Sequence, residues 1–292
     1  HYEYSIYGPD GFESAAFEFL DKQKDSDKPF LLYYSTPLVH TPHTPTPDSE
    51  SWDLDFAGRF QKDTANFKDM VAYLDKKVGR MIDRLKRNGQ WENTIFIFTS
   101  DNGTSTRIVS QMSDGTLRRG GKGDPRGIGT SVPLIICWGD KLEPRESQRL
   151  VDFTDFFPTF ADAMRIAVPE EYGLDGVSLF PEIVGEKPLE KEISLMHYNP
   201  LWPVAAAPYA SRAARTTEWK YYWDGRFYNT KTDFMEEHPI DIDTCSNEIK
   251  TIYAKLKAKV EECPNFYPDM PGAPRRGNYG TFYDFAEPNN PF

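Results

Sequence analysis

The stretch from Phe67 to Gly103 reads as one long helix, a turn and a buried strand, and no other part of the chain restricts the fold so tightly. Apolar residues at Phe67, Met70, Val71, Leu74, Val78, Met81, Ile82 and Leu85 recur at steps of three and four, the period of an amphipathic helix. Asn88-Gly89 ends that pattern. TIFIFTS, from Thr94, is an apolar run of strand length. PFLLYYS from Pro29 and VPLIICW from Val132 resemble it, each bounded by polar or turn residues. None of the three alternates cleanly, as expected of strands covered on both faces of a parallel sheet. Shorter helical patterns precede the first run (Phe12, Ala16, Phe19, Leu20) and follow the third (DFFPTFADAMRIA). Helix and strand patterns in alternation predict an α/β fold, a mixed, mainly parallel sheet sandwiched by helices.

From about Glu190 the texture changes. WKYYWDGRFYN is two aromatic β runs joined at Asp224-Gly225, a hairpin signal. Ile249, Ile252, Tyr253, Leu256 and Val260 then mark a helix between Cys245 and Cys263. An unbroken helix would hold those cysteines roughly 25 Å apart, beyond disulfide reach, and Cys137 reads as a core thiol within its strand. The stretch from Pro264 is dense in Pro, Gly and Asn and reads as an irregular tail. We therefore expect a main domain over 1–189 and a smaller antiparallel sheet plus helix over 190–292. A formal net charge of -11 weighs against nucleic acid and anionic membranes as partners, though a few local cations suffice for a small anion. No apolar run approaches the ~20 residues that span a bilayer.

Ligands of open parallel sheets sit beyond the carboxyl ends of the strands, and the chain places chemistry there. Asp101 and Asn102 follow FIFTS. A carboxylate beside an amide carbonyl gives hard oxygens, suited to Ca²⁺ or Mg²⁺ rather than Zn²⁺. Asp-Asn-Gly also makes a good turn with no ligand at all, and the sequon at Asn102-Gly103-Thr104 reads as a chance match. His40 and His43 fall in the proline-rich loop after the first run, and they are two of only five histidines. Lys122 lies in RRGGKGDPRGIG, where glycines let the backbone approach a ligand and the ammonium offers a point charge to an anion. That loop lacks the GxxxxGK[ST] pattern of a P-loop. Together the three strand ends would suit a divalent metal, an anionic ester and a proton donor for the leaving oxygen.

These residues resemble the sulfatase family of the alkaline phosphatase superfamily over nearly the whole chain. KPFLLYYSTPLVHTP is similar to the family stretch ending in His-x-Pro, and MVAYLDKKVGRMIDRLKRNGQWENTIFIFTSDNG to the helix, turn and strand that deliver its metal-binding Asp-Asn. RRGGKG before SVPLIICW is similar to the Gly-Lys-Gly segment, DFTDFFPTFADAMRIAVPEEYGLDGVSLFP to the Asp-x-x-Pro-Thr helix and its following turn, and DGRFYNTKTD to the C-terminal hairpin. The resemblance implies an alkaline phosphatase-like fold, Ca²⁺ held by Asp101 and Asn102, sulfate oxygens bound by Lys122, and His40 donating to the leaving alkoxide. His43 would be a rim residue, structural or substrate-touching. His197, in LMHYNPLWP, would be a substrate-side contact or an interface histidine. A sulfated carbohydrate is the implied substrate, and secretion or export to the periplasm the implied location.

The family's nucleophile is a formylglycine made from Cys or Ser in Cys/Ser-x-Pro-x-Arg, and this sequence has no such motif: Cys137 precedes Trp138, Cys245 precedes Ser246 and Cys263 precedes Pro264. The family's N-terminal acidic pair and its lysine-histidine pair are missing too. GDPRGIGTS after Lys122 also lacks the family's usual acidic and arginine residues. The expectation is the C-terminal portion of a sulfatase, inactive by itself. The alternatives are a phosphate or phosphonate monoester hydrolase of the same superfamily, or a non-catalytic glycan-binding remnant.

Overall fold

The computed structural model describes residues 7–52, 63–198 and 210–263. The tail expected from Pro264 lies outside the described residues. Fourteen elements follow in chain order: α1 (Gly8–Gln23), α2 (Phe67–Arg87), β1 (Ile95–Thr99), β2 (Val109–Gln111), β3 (Leu117–Arg119), α3 (Gly127–Thr130), β4 (Leu134–Trp138), α4 (Phe156–Ala163), α5 (Phe180–Ile183), β5 (Ser194–Tyr198), β6 (Ser211–Arg215), β7 (Trp219–Tyr222), β8 (Phe227–Asn229) and α6 (Asn247–Glu261). Contacts group the chain into two compact units, His1–Gly121 with Val132–Glu143, and Lys122–Ser131 with Pro144–Phe292.

In the first unit α1 and α2 pack around Ala16, Phe17, Leu20, Met81, Leu85 and Trp91. Each large apolar side chain fully buried there contributes about 1.5–3 kcal/mol. α2 ends where the sequence said, with Asn88 as C-cap and Gly89 at φ +71°, a left-handed conformation that glycine adopts without strain. β1 and β4 pair in register from Ile95 opposite Trp138 to Thr99 opposite Leu134, and Cys137 packs on the helical core.

The mixed α/β class and the separate antiparallel sheet match the expectation. The local strand readings need correction in two places. The β1–β4 ladder is antiparallel, because an apolar run encodes burial and not direction. The first of the three expected strands, Pro29–Ser35, forms no ladder among the described residues. It still shows the period-two alternation of a strand: Phe30, Leu32 and Tyr34 pack on the helical core, while Leu31 is exposed and Tyr33 is 89% exposed. It is covered on one face rather than both.

In the second unit β5-β6-β7-β8 form one antiparallel sheet. α6 lies across it, seating Leu256 and Val260 against Ala214, Tyr221 and Phe227. Asp224-Gly225 makes the β7–β8 turn, with Gly225 at φ +96°. Ser246 caps α6, its hydroxyl accepting from the Ile249 amide. α6 runs unbroken between Cys245 and Cys263, and all three cysteines are free. Ahead of α4, buried Asp155 accepts hydrogen bonds from the Asp152 and Val177 amides and from Lys191. That ties the helix to the turn carrying Gly176, where a Cβ would fall 1.8 Å from the Thr154 carbonyl oxygen.

Candidate active site

β1 is fastened to its end. The Thr99 hydroxyl donates to the Pro133 carbonyl at 2.8 Å, and the Ser100 hydroxyl donates to the Asn102 carbonyl at 3.0 Å. The chain thus leaves the strand in a fixed turn, with Asp101 exposed and Asn102 half-buried. Among the described residues the Asp101 carboxylate has no hydrogen-bond or ion-pair partner, so the turn geometry does not consume it. The following loop is braced from behind. Gly120 donates to the Ile108 carbonyl at 2.9 Å and Arg119 Nη1 donates to the Thr106 carbonyl at 2.9 Å. A Cβ on Gly120 would lie 2.3 Å from the Ser105 carbonyl oxygen and 2.4 Å from that of Thr104, so this close approach requires glycine.

His40 also belongs to this unit. Its amide closes a turn onto the Pro37 carbonyl at 2.8 Å. Its Nδ1 lies 2.6 Å from the Thr41 carbonyl oxygen. A carbonyl only accepts, so Nδ1 carries a proton, and Nε2 of this exposed side chain is the nitrogen left for a ligand.

His43 is not at a rim. It is 4% exposed, set edge-on to Phe67 with ring centroids 5.6 Å apart, and its carbonyl accepts from Asp63 and Asn66. Its Nε2 is buried without a hydrogen-bond partner among the described residues. Burial first, then the nearby charges of His40 and Arg107, hold its pKa below the ordinary 6.5. As pH falls through that ordinary value the unfolded chain takes up the proton before the fold does. The stability contributed by the neutral ring is therefore full above it and declines on acidification. A His43→Phe variant is expected to show a smaller drop in urea midpoint between pH 7.5 and pH 5.5 than the parent chain. An unchanged drop would place the acid sensitivity elsewhere.

Lys122 and His197 belong to the second unit. Lys122 is exposed, and among the described residues its ammonium has no ion-pair partner; Gly123 at φ +89° turns the chain directly after it. His197 lies on β5 opposite Arg212 of β6, exposed, with burial and the Arg212 charge lowering its pKa. Among the described residues no cluster of three or more His, Cys, Asp or Glu side chains could hold a metal. Asp101 and Asn102 fit Ca²⁺ by donor type, but only as two of the six to eight oxygens it takes. The sequence reading missed Arg107, whose charge reaches His43, and a buried network of Lys220, Tyr222 and Glu236. An arginine in a polar loop, a lysine and a tyrosine in a hairpin, and a glutamate past it carry no sequence signal of such roles.

The fold is shared with a protein in the alkaline phosphatase superfamily. A member from Vibrio parahaemolyticus superposes with a TM-score of 0.54 at 18% identity, covering 85% of this chain and 52% of that one. The particular family follows from the sequence: the Sulfatase family model matches residues 11–166, more than half of the chain, and the chain belongs to that family. It is similar to the uncharacterized sulfatase YdeN of Escherichia coli strain K12, 33% identical over 197 residues, 67% of this chain and 33% of that protein. It is also similar to an N-acetylgalactosamine-6-O-sulfatase of Bacteroides thetaiotaomicron, 29% identical over 175 residues, 57% of this chain and 32% of that protein. Among solved structures, Ps i-CgsB superposes with a TM-score of 0.64 at 27% identity, covering 87% of this chain and 54% of that one. The same protein has been solved in complex with k-i-k-neocarrahexaose. The chain spans about a third of the length of the curated relatives it matches.

Proposed function

We propose that the complete gene product hydrolyses sulfate esters and that its substrate is a sulfated carbohydrate. The observation that carries this reading is the open Asp101 carboxylate beside Asn102 at the fastened end of β1, in a chain of the Sulfatase family. The similar Ps i-CgsB, solved with an oligosaccharide, supports a carbohydrate substrate. Residues 1–189 then belong to the catalytic domain and 190–292 to a smaller C-terminal subdomain.

Asp101 and Asn102 would hold Ca²⁺, which when bound supplies fixed positive charge for an oxyanion. Lys122 would bind the sulfate oxygens as a compact cation, and His40, with both ring nitrogens protonated, would deliver the Nε2 proton to the leaving oxygen while Nδ1–H stays on the Thr41 carbonyl. A formylglycine would supply the attacking oxygen, and no residue of this chain sits in its motif. His197 would touch the substrate.

The test is hydrolysis of aryl sulfate, sulfated sugar and aryl phosphate by the complete gene product, with and without a calcium chelator. Sulfate turnover is expected, abolished by the chelator and little matched by the phosphate. Lys122→Ala is expected to lower kcat/KM by about 10²–10³-fold, the typical effect of removing one donor to a developing oxyanion. The 292-residue chain alone should show no turnover. Preference for phosphate would move the reading to a phosphoryl hydrolase, and robust aryl sulfate hydrolysis by the chain alone would overturn the need for an external nucleophile.

A further inference from the structure

The second unit contains an ion pair that its own sheet does not need. Lys220 on β7 is 3% exposed and Glu236 is 4% exposed, and Lys220 Nζ lies 3.0 Å from Glu236 Oε1. The fully buried Tyr222 hydroxyl donates to Glu236 Oε2. Burying a carboxylate and an ammonium carries a desolvation penalty that well-packed apolar side chains avoid. The sheet already has its ladders and the apolar core beneath α6, so sheet stability does not account for the pair.

Among the described residues, its side-chain hydrogen bonds outside itself all go to one short segment. Lys220 Nζ donates to the Pro125 carbonyl at 2.7 Å, with the Tyr222 hydroxyl 3.3 Å from the same oxygen. The Gly127 amide donates to Glu236 Oε1 at 2.9 Å. Between them, Arg126 Nη1 donates to the Met235 carbonyl at 3.2 Å while its guanidinium grips Asp124 through Nε at 2.9 Å and Nη2 at 2.6 Å. The Phe234 ring lies 2.9 Å from where a Cβ on Gly127 would be.

Glu236 adds an independent observation. Its φ is +55°, a left-handed conformation that is strained for a residue other than glycine. Such strain persists where surrounding contacts over-determine it. Here the contacts that do so are Lys220, Tyr222 and Gly127.

We infer that Lys220, Tyr222 and Glu236 are positioning residues for Lys122, clamping Pro125–Gly127 onto the C-terminal sheet so that the exposed lysine three residues upstream is presented from a fixed backbone. Three residues of chain reach at most about 11 Å, so holding Pro125 keeps Lys122 within that distance of the clamped backbone. The inference rests on the reading of Lys122 as the sulfate-binding cation. It gives the C-terminal subdomain a part in the chemistry through backbone control rather than through a side chain at the substrate.

The experiment uses the complete gene product carrying Glu236→Gln, with Tyr222→Phe as a milder second variant should the first fold poorly. Amide hydrogen exchange is followed in Lys122–Thr130 and, separately, in β6, β7, β8 and α6. Loop amides are expected to exchange roughly tenfold faster or more, the scale of losing one charge-assisted hydrogen bond, with the sheet and α6 unchanged. Sulfate ester kcat/KM should fall about 10–10²-fold, as misplacement of about 1 Å does, and the loss should vanish when Lys122→Ala is already present. Exchange that rises throughout the unit, or nowhere, overturns the clamp. Loop-confined exchange with losses that add in the Lys122→Ala background overturns the link to Lys122. Failure of the sulfate-binding reading itself would look different: Lys122→Ala alone would keep full activity while the loop exchange still responded, and the positioning claim would end there.

Discussion

A Lys77→Met variant is expected to lose about 3–5 kcal/mol of stability, the usual consequence of removing one partner from a buried ion pair. Lys77 projects from the inner face of α2 and is 3% exposed. Its ammonium lies 2.9 Å from Glu13 Oε2 on α1 and also contacts Asp10, whose carboxylate accepts the Tyr73 hydroxyl at 2.7 Å. Glu13 is as deeply buried, and among the described residues its Oε1 already has no hydrogen-bond partner. Among the described residues, removing Lys77 would leave that carboxylate only Arg80, at 3.0 Å and partly exposed. Asp10 and Tyr73 would lose less, because Asp10 is a third exposed and can take up water. Burial and the Asp10 charge push the Tyr73 hydroxyl well above its ordinary pKa, so it stays a donor at any working pH. A Glu13→Leu, Lys77→Met double variant should recover most of the loss, since the uncompensated charge is then gone. Urea unfolding of the four members of the cycle measures both numbers. A single variant within about 0.5 kcal/mol of the parent, the range of ordinary surface substitutions, would mean that the pair is solvated after all.

The same pair marks the limit of what the chain discloses. α2 was legible because Met70, Met81 and Leu85 keep the helical period and Asn88-Gly89 stops it. Yet the buried stripe runs Met70, Tyr73, Lys77, Met81, Leu85, while Val71 on the expected face is exposed. Periodicity ranks residues by polarity, and Lys77 is inward only because Glu13 waits 64 positions earlier. α1 repeats the lesson, exposing Phe12 and burying Glu13. Local chemistry fared better. Asp224-Gly225 specified its turn, and the α6 period and Ser246 cap specified that helix. At the site, the turn after β1 was readable because apolar run, acid and amide are adjacent. The burial of His43 against Phe67 and the grip of Glu236 on Gly127 were not, because they join residues 24 and 109 positions apart.

His40→Ala in the complete gene product is expected to slow hydrolysis of a sugar sulfate by about 10²–10⁴-fold, the usual contribution of a positioned general acid. The same variant should change turnover of an activated aryl sulfate far less. The difference follows from the leaving group. A sugar alkoxide is a strong base that departs readily only as it is protonated, whereas an activated phenoxide leaves unaided. Two observations motivate the expectation: Nδ1–H is spent on the Thr41 carbonyl, which sets the ring, and the side chain is exposed, so a doubly protonated ring would carry its second proton on Nε2. His43 cannot stand in, since it is buried and its charged form is disfavoured. His40→Gln, which can donate a hydrogen bond but no proton, should restore little on the sugar sulfate. Equal losses on both substrates would show that His40 binds or orders the loop rather than acting on the leaving oxygen, and kcat measured at saturation on each substrate separates the two.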